Sequence, residues 1–215
     1  MINKNWVISV FCLFFLVSCE EKNNAVLSHY DNGIVKSELS KDDNGNYDGV
    51  CRWFYEDGTL QQECTYKQNL LEGKLLRYSE NGLLQEDLYY ENNLLQGKAE
   101  YYDFKGNKVK TENYVNDTLH GDFSFFFPNG QIKVSGKNNK GLFDGIWTYY
   151  NNQGKIIGEG EFSNGEGVLK GYDDDGNLIR TVEYLNNKKD GKEQMFDAKG
   201  KLVNIRTYKD GFLLE

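Results

Sequence analysis

The sequence predicts an all-β fold, in which tandem β-hairpin repeats of about 24 residues form one elongated, twisted antiparallel meander of the kind seen in repeat sheets. Two series of glycines and one column of aromatic residues support this prediction. In each glycine series the spacing is 24 residues, apart from one interval of 22 in the same unit of both. The first series is Gly58, Gly82, Gly106, Gly130, Gly154, Gly176 and Gly200, and the second is Gly49, Gly73, Gly97, Gly121, Gly145, Gly167 and Gly191. Self-similarity at a fixed period is the signature of a tandem repeat.

The residue pattern of each unit predicts two strands joined by a turn. Short aromatic-rich segments, such as GDFSFFF at 121–127 and IWTYY at 146–150, are bounded by turn sequences such as Asn129-Gly130. Glycine suits such turns because it adopts a positive φ without steric cost. No segment shows a helical apolar face. The pattern therefore predicts a strand, a tight turn, a strand and a slightly longer turn, repeated along the chain.

One column of each unit is always aromatic and lies four residues before the first-series glycine. An aliphatic residue follows that glycine by two positions in most units. We expect the two columns to pair across the hairpin and to form the core. The aromatic ladder is Phe54, Tyr78, Tyr102, Phe126, Tyr150, Tyr172 and Phe196.

The turn length decides the register of the first hairpin. A two-residue turn at Asp57-Gly58 places Phe54 opposite Gln61, whereas a three-residue loop over 56–58 places Phe54 opposite Leu60. We favour the longer loop because it pairs the aromatic and aliphatic columns on one face, and a slip of one residue would turn every side chain to the other face.

The same choice of register bears on two cysteines. With the three-residue loop Cys51 faces Glu63, and with the two-residue turn Cys51 faces Cys64. We therefore expect both residues to act as small apolar side chains rather than as a disulfide, and a disulfide would test the register.

The N-terminus resembles a bacterial lipoprotein signal. Lys4 precedes an apolar run over 6–17, and Leu16-Val17-Ser18-Cys19 is similar to a lipobox. The resemblance implies cleavage before Cys19, lipidation of Cys19, and a membrane-anchored protein of the bacterial cell envelope, at the outer membrane or the surface rather than the inner membrane. The predicted domains are a signal peptide over 1–18, a lipidated cysteine and tether over 19–29, and a repeat domain over 30–215.

The repeat itself resembles a known family. Segments such as YSENGLLQEDLYYENNLLQG (78–97) and YDDDGNLIRTVEYLNNKKDG (172–191) are similar to the MORN-repeat variant of YwqK-type antitoxin proteins. The resemblance implies a β-repeat scaffold that binds a protein partner, and its family name implies a toxin as that partner. It implies no catalytic residues.

Composition excludes several other functions. A net charge of −8 disfavours nucleic acid, which needs clustered Lys and Arg. The two histidines, His29 and His120, support neither a catalytic constellation nor a metal site, and the acidic turn at 173–177 does not fit a calcium loop. We therefore expect a binding protein without enzyme activity, cofactor, metal or small-molecule substrate.

The candidate binding patch consists of Phe123, Phe125, Trp147 and Tyr149. Phe125 and Tyr149 each directly precede a residue of the aromatic ladder, so we expect the patch on the face opposite the ladder, either exposed to a partner or packed as core. Exposed aromatic groups favour a protein partner. The alternative is a cell-wall or glycan ligand, since WTYYNNQGK at 147–155 faintly resembles glycan-binding repeats.

Overall fold

The computed structural model describes residues 25–214, and these form one antiparallel sheet. The all-β prediction is confirmed. The strands are β1 Ala25–His29, β2 Val35–Lys41, β3 Tyr47–Phe54, β4 Leu60–Lys67, β5 Leu70–Tyr78, β6 Leu84–Glu91, β7 Leu94–Leu95, β8 Gly97–Tyr102, β9 Lys108–Val115, β10 Thr118–Leu119, β11 Gly121–Phe126, β12 Ile132–Asn139, β13 Leu142–Tyr150, β14 Ile156–Ser163, β15 Glu166–Tyr172, β16 Leu178–Leu185, β17 Lys188–Phe196, β18 Leu202–Lys209 and β19 Phe212–Leu213.

The strands follow one another as a meander. Each pairs with the next along the chain, and two of them are interrupted: β7 and β8 both pair with β6, and β10 and β11 both pair with β9. Among residues 25–214 no helix is long and apolar enough to cross a membrane.

The sheet begins earlier than predicted. Strand β1 pairs with β2 from Ala25 onward, so residues 25–29 belong to the sheet and not to a tether. The predicted signal peptide, Cys19 and the tether residues up to 24 lie outside the described residues.

The glycine loops have the predicted length, but the strand register beyond the loop differs from the predicted one. The Tyr55 amide donates to the Thr59 carbonyl (2.8 Å) around a three-residue loop, and Phe54 pairs with Leu60 as predicted. A β-bulge then shifts the register between Trp53 and Phe54, so Cys51 faces Cys64. The expected pairing of Cys51 with Glu63 is therefore wrong, because a second irregularity follows the loop.

The other turns are shorter than predicted. Lys67 pairs with Leu70 around Gln68 (φ 50°) and Asn69 (φ 68°), so two left-handed residues form the whole turn. This is a two-residue turn of the type that matches the twist of a hairpin, and Asn tolerates its dihedral angles well.

These two-residue turns connect each unit to the one before it. The Asn69 amide donates to the Tyr47 carbonyl (2.9 Å), and the Tyr47 amide donates to Asn69 Oδ1 (2.7 Å). Asn93 makes the same pair of bonds with Leu71. The turns therefore fix the spacing of successive units along one edge of the sheet.

The core lies on the face opposite the predicted ladder. All seven residues of the aromatic ladder are half-buried, so the prediction that they form the core is wrong. The buried apolar row lies on the face toward which the candidate patch points, and we call this the core face; the other is the reverse face. The buried apolar residues are Cys51, Cys64, Leu75, Leu88, Ala99, Trp147, Phe162 and Val182.

Candidate interaction face

The four residues of the predicted patch share the core face. Phe123 and Trp147 lie in one row with Gly136 between them, and Phe125 and Tyr149 lie in the next row. Val134 pairs with both Phe125 and Tyr149. Adjacent units therefore place the four side chains on one face, where the rings of Phe123 and Trp147 are in contact and Val134 lies between Phe125 and Tyr149.

Trp147 is part of the core and is not exposed. Its side chain is 3% exposed, and its indole Nε1 donates to the Lys137 carbonyl (3.0 Å). The indole lies against Gly136, where an added Cβ would come within 2.3 Å of the ring. Trp147 therefore cannot belong to an exposed patch. Gly136 on the neighbouring strand has no side chain, so the indole packs directly against the sheet.

A chain of aromatic contacts supports Trp147 from the side. Phe143 lies 4.1 Å from Trp147 between ring centroids and 5.6 Å from Phe162, which in turn lies 5.7 Å from Tyr184. Phe123 lies 5.2 Å from Trp147 on the other side. Phe143 lies outside the periodic columns on which the sequence prediction rests, so the prediction did not include it.

The exposed part of the patch is the row of Phe125, Val134 and Tyr149, all half-buried. Lys133 Nζ lies 5.4 Å from the centroid of the Phe125 ring, a distance suited to a cation–π contact. Burial raises the pKa of the Tyr149 phenol. This row therefore offers two partly exposed rings beside the buried Trp147.

An opening follows Tyr149 in the same row. Tyr149 pairs with Gly158, which pairs with Gly171, which pairs with Arg180. The Tyr149 ring lies over Gly158, whereas above Gly171 only the start of the Arg180 side chain comes within 3.5 Å of an added Cβ. We call this space the Gly171 opening.

Arg180 begins at the edge of the Gly171 opening, and its side chain extends toward the neighbouring strand β17. Its guanidinium pairs with the buried carboxylate of Glu193, which also contacts Lys189 Nζ (3.3 Å). Its Nε is buried and makes no hydrogen bond within the described residues. Burial raises the pKa of Glu193, but Tyr208, Arg180 and Lys189 outweigh it, so the net shift is downward. Arg180 is therefore held in place by Glu193, and its side chain remains 42% exposed although its Nε is buried.

The reverse face carries ion pairs and a few exposed apolar residues. Arg52 contacts Glu63 (2.7 Å) and Glu38 (3.3 Å) there. Ile146 is 60% exposed and Val168 is 42% exposed, and they flank Glu161. These residues provide controls for any test of the core face.

The remaining candidate groups have local roles. Asp173 Oδ1 accepts from the amides of Asp175 (3.0 Å) and Asn177 (2.8 Å) within its own turn. His29 and His120 are exposed. Within the part of the chain that the structure describes, no three His, Cys, Asp or Glu residues lie close enough together to hold a metal ion.

The fold and this face define a class: a single-sheet β-hairpin repeat scaffold with an apolar core on one face. The family model described as MORN repeat variant matches five segments of the chain, at residues 47–68, 119–136, 143–164, 165–186 and 189–210. The chain therefore carries tandem MORN repeat variants, as its repeats predicted. No curated protein matches the chain.

Proposed function

We propose that the protein acts by binding a protein partner on the core face, at Phe125, Val134, Tyr149 and the Gly171 opening. The observation that carries the proposal is the row itself: the half-buried rings of Phe125 and Tyr149 are followed along the sheet by the Gly171 opening and then by Arg180, whose side chain is 42% exposed.

The arrangement favours a partner side chain with an oxygen acceptor. An Asp, Glu, Asn or Gln side chain entering above Gly171 would accept a hydrogen bond from the exposed part of the Arg180 guanidinium, and the carbon atoms beside it would pack against the Tyr149 ring. Aromatic residues and Arg at the centre of a preformed surface are typical of the residues that dominate protein–protein binding.

The Gly171→Leu variant tests this proposal without removing any core contact. Gly171 does not adopt a positive φ, and an added Cβ would meet only ordinary contacts, so the variant should fold while its side chain fills the opening. The matched control is Val168→Leu, on the same strand and the reverse face.

The measurement is affinity capture from native membranes with the wild type and both variants. We expect a protein that is retained by the wild type and by Val168→Leu, and lost by Gly171→Leu. Equal capture by all three proteins would show that the opening is not the binding site.

We also propose that Cys19 carries a lipid anchor that places the protein in the bacterial cell envelope. Five residues, 20–24, separate Cys19 from strand β1, and a chain of that length spans at most about 18 Å. The anchor would therefore hold the sheet close to the membrane surface. Cys19→Ala should move the protein from the membrane fraction to the soluble fraction, and retention in the membrane would contradict the anchor.

An antitoxin or immunity role is the finer form of the proposal. It is supported by the resemblance of the repeat to antitoxin proteins and needs a toxic partner. If the captured protein stops growth when expressed alone, and co-expression of the wild type but not of Gly171→Leu restores growth, the role is supported. A harmless partner would exclude it.

A glycan is the alternative ligand of the same face, because half-exposed aromatic rings such as those of Phe125 and Tyr149 also suit the flat faces of sugars. A pull-down on purified peptidoglycan separates the two proposals. Retention of the wild type that is lost in Tyr149→Ala would favour the glycan, and no retention would remove it.

A further inference from the structure

We propose that Cys51 and Cys64 are a disulfide-forming pair that locks the first full repeat. The proposal concerns a modification site and does not depend on partner binding. The two residues face each other on β3 and β4, with side chains 0% and 1% exposed, and both are unbonded thiols in the structure.

Their placement satisfies the geometric requirement for a bond. Residues directly opposite each other in an antiparallel pair have Cα atoms about 4.5–5.5 Å apart, which lies inside the range of about 4.4–6.8 Å found for disulfides. The β-bulge between Trp53 and Phe54 creates this alignment, because without its register shift Cys51 would face Glu63.

The facing pairs of the other repeats give a second, independent argument. At the same two positions, most repeats hold residues that match in size or charge: two apolar side chains, a large ring against glycine, or an acid against a base. The facing pairs are Leu75–Leu88, Ala99–Glu112, Phe123–Gly136, Trp147–Gly160, Leu169–Val182 and Glu193–Arg206. None of these six pairs contains cysteine, whereas the first full repeat holds cysteine at both positions.

The bond would form while the chain folds. Burial raises the pKa of both thiols in the folded protein, which lowers the thiolate fraction. Neighbouring side chains on the core face also shield both cysteines from solvent. A disulfide oxidant such as oxidised glutathione would therefore react with the two thiols before neighbouring side chains pack over them.

The chemistry is two thiol–disulfide exchanges. One protein thiolate attacks a sulfur of oxidised glutathione, and one glutathione leaves as a thiol after taking up a proton. The second protein thiolate then attacks the protein sulfur of this mixed disulfide and releases the second glutathione. The Cys51–Cys64 bond forms, both protein thiols lose their protons, and the oxidant takes up two electrons.

Trypsin provides a direct test on the full chain, because it cleaves at Arg52, between the two cysteines. The chain is refolded with reduced and oxidised glutathione, the remaining thiols are alkylated, and the digest is analysed without reduction. We expect peptides 42–52 and 53–67 to appear as one linked species that separates on reduction. Cys12 and Cys19 fall together in peptide 5–22, so they do not confuse the assignment.

Two results would overturn the proposal. One is recovery of the two peptides separately, each with an alkylated cysteine, and the other is recovery of each with glutathione attached. The consequence for stability is a second test: oxidised wild type should melt about 5 °C or more above its reduced form. The Cys51→Ala/Cys64→Ala variant should show no such difference, and an equal difference in that variant would also reject the proposal.

Discussion

At the scale of the single residue, Trp147 has the clearest energetic role. Its indole is buried against Gly136, contacts Phe143 and Phe123, and donates a hydrogen bond to the Lys137 carbonyl. Trp147→Ala should lower the free energy of unfolding by about 3–5 kcal/mol, because it removes these contacts and leaves a cavity. Urea unfolding measures this loss.

Ile146 provides the control for this prediction. It precedes Trp147 on the same strand, points to the reverse face and is 60% exposed. Ile146→Ala should change the free energy of unfolding by about 0.5 kcal/mol or less. Equal losses at the two positions would contradict the assignment of the core face.

The ionised Glu100 carboxylate should make the stability of the central repeats depend on pH in the acid range. Lys108 Nζ (2.8 Å), Lys98 Nζ (2.5 Å) and the Tyr102 hydroxyl (3.0 Å) contact its carboxylate and lower its pKa to about 2. A lowered pKa stabilises the fold above the pKa of the unfolded chain. This contribution is therefore present at neutral pH and is lost as the pH falls from about 4.5 toward 2.

Replacing Glu100 by Gln should remove that contribution at every pH. Because both lysines are substantially exposed, we expect a loss of about 1 kcal/mol at pH 7 and almost none near pH 2. Chemical denaturation of both proteins across this pH range measures the difference. A loss of the same size at pH 2 and pH 7 would show that the carboxylate charge is not the cause.

At the scale of the element, the two-residue turns predict how units are joined. In the shortened unit Gly165 occupies the turn position where Asn69 and Asn93 lie in their units, and it has no side chain to bind the Phe143 amide. Asn187 reaches across from the next turn: Phe143 donates to its Oδ1 (2.7 Å), and its Nδ2 donates to the Gly141 carbonyl (2.8 Å).

Asn187→Gly should therefore cost more stability than Asn93→Gly. Glycine keeps the left-handed turn in both variants, but at position 187 two side-chain hydrogen bonds are lost and at position 93 one is lost. We expect about 1–3 kcal/mol for Asn187 and about 1 kcal/mol for Asn93. Urea midpoints compare the two variants, and a larger loss at position 93 would contradict this role for Asn187.

The turns and the core differ in how far they could be predicted from the sequence. Glycines with a required positive φ recur at a fixed interval, so the repeat length, the all-β class and the three-residue loop were readable. The core row was not, because its residues change type from unit to unit. Phe123 and Trp147 are large where Gly136 and Gly160 face them, and such compensation becomes visible only once the register is known.

The candidate site shows the same limit. The period placed Phe125 and Tyr149 on one face, and the structure retains them as the half-buried row. Arg180 and the Gly171 opening were not predicted because they follow from pairing across four strands, which depends on bulges that no turn sequence indicates.

At the scale of the whole molecule, the sheet should tolerate loss of a complete unit. Each strand pairs only with its neighbours in the meander, so stability is close to a sum of units and their interfaces. Deleting residues 97–120 joins Gln96 to Gly121, keeps both glycine series and brings Leu88 into register with Phe123. The shortened protein should remain folded and melt cooperatively at a lower temperature.

The control is a deletion shorter by one residue, over 97–119. It moves every following side chain to the opposite face, so the core row would be exposed and the protein should not fold. Circular dichroism with thermal melting compares the two. If both deletions folded equally well, the core face would not determine the register.

The central claim is that a protein partner binds the core face beside the Gly171 opening. Photo-crosslinking tests it most directly, with benzoylphenylalanine placed at Tyr149 on the core face or at Tyr89, which is exposed on the reverse face. In native membranes we predict a crosslink to one protein from position 149 that Gly171→Leu abolishes, and none from position 89. A crosslink from position 89 alone, or from 149 regardless of Gly171→Leu, would contradict the claim.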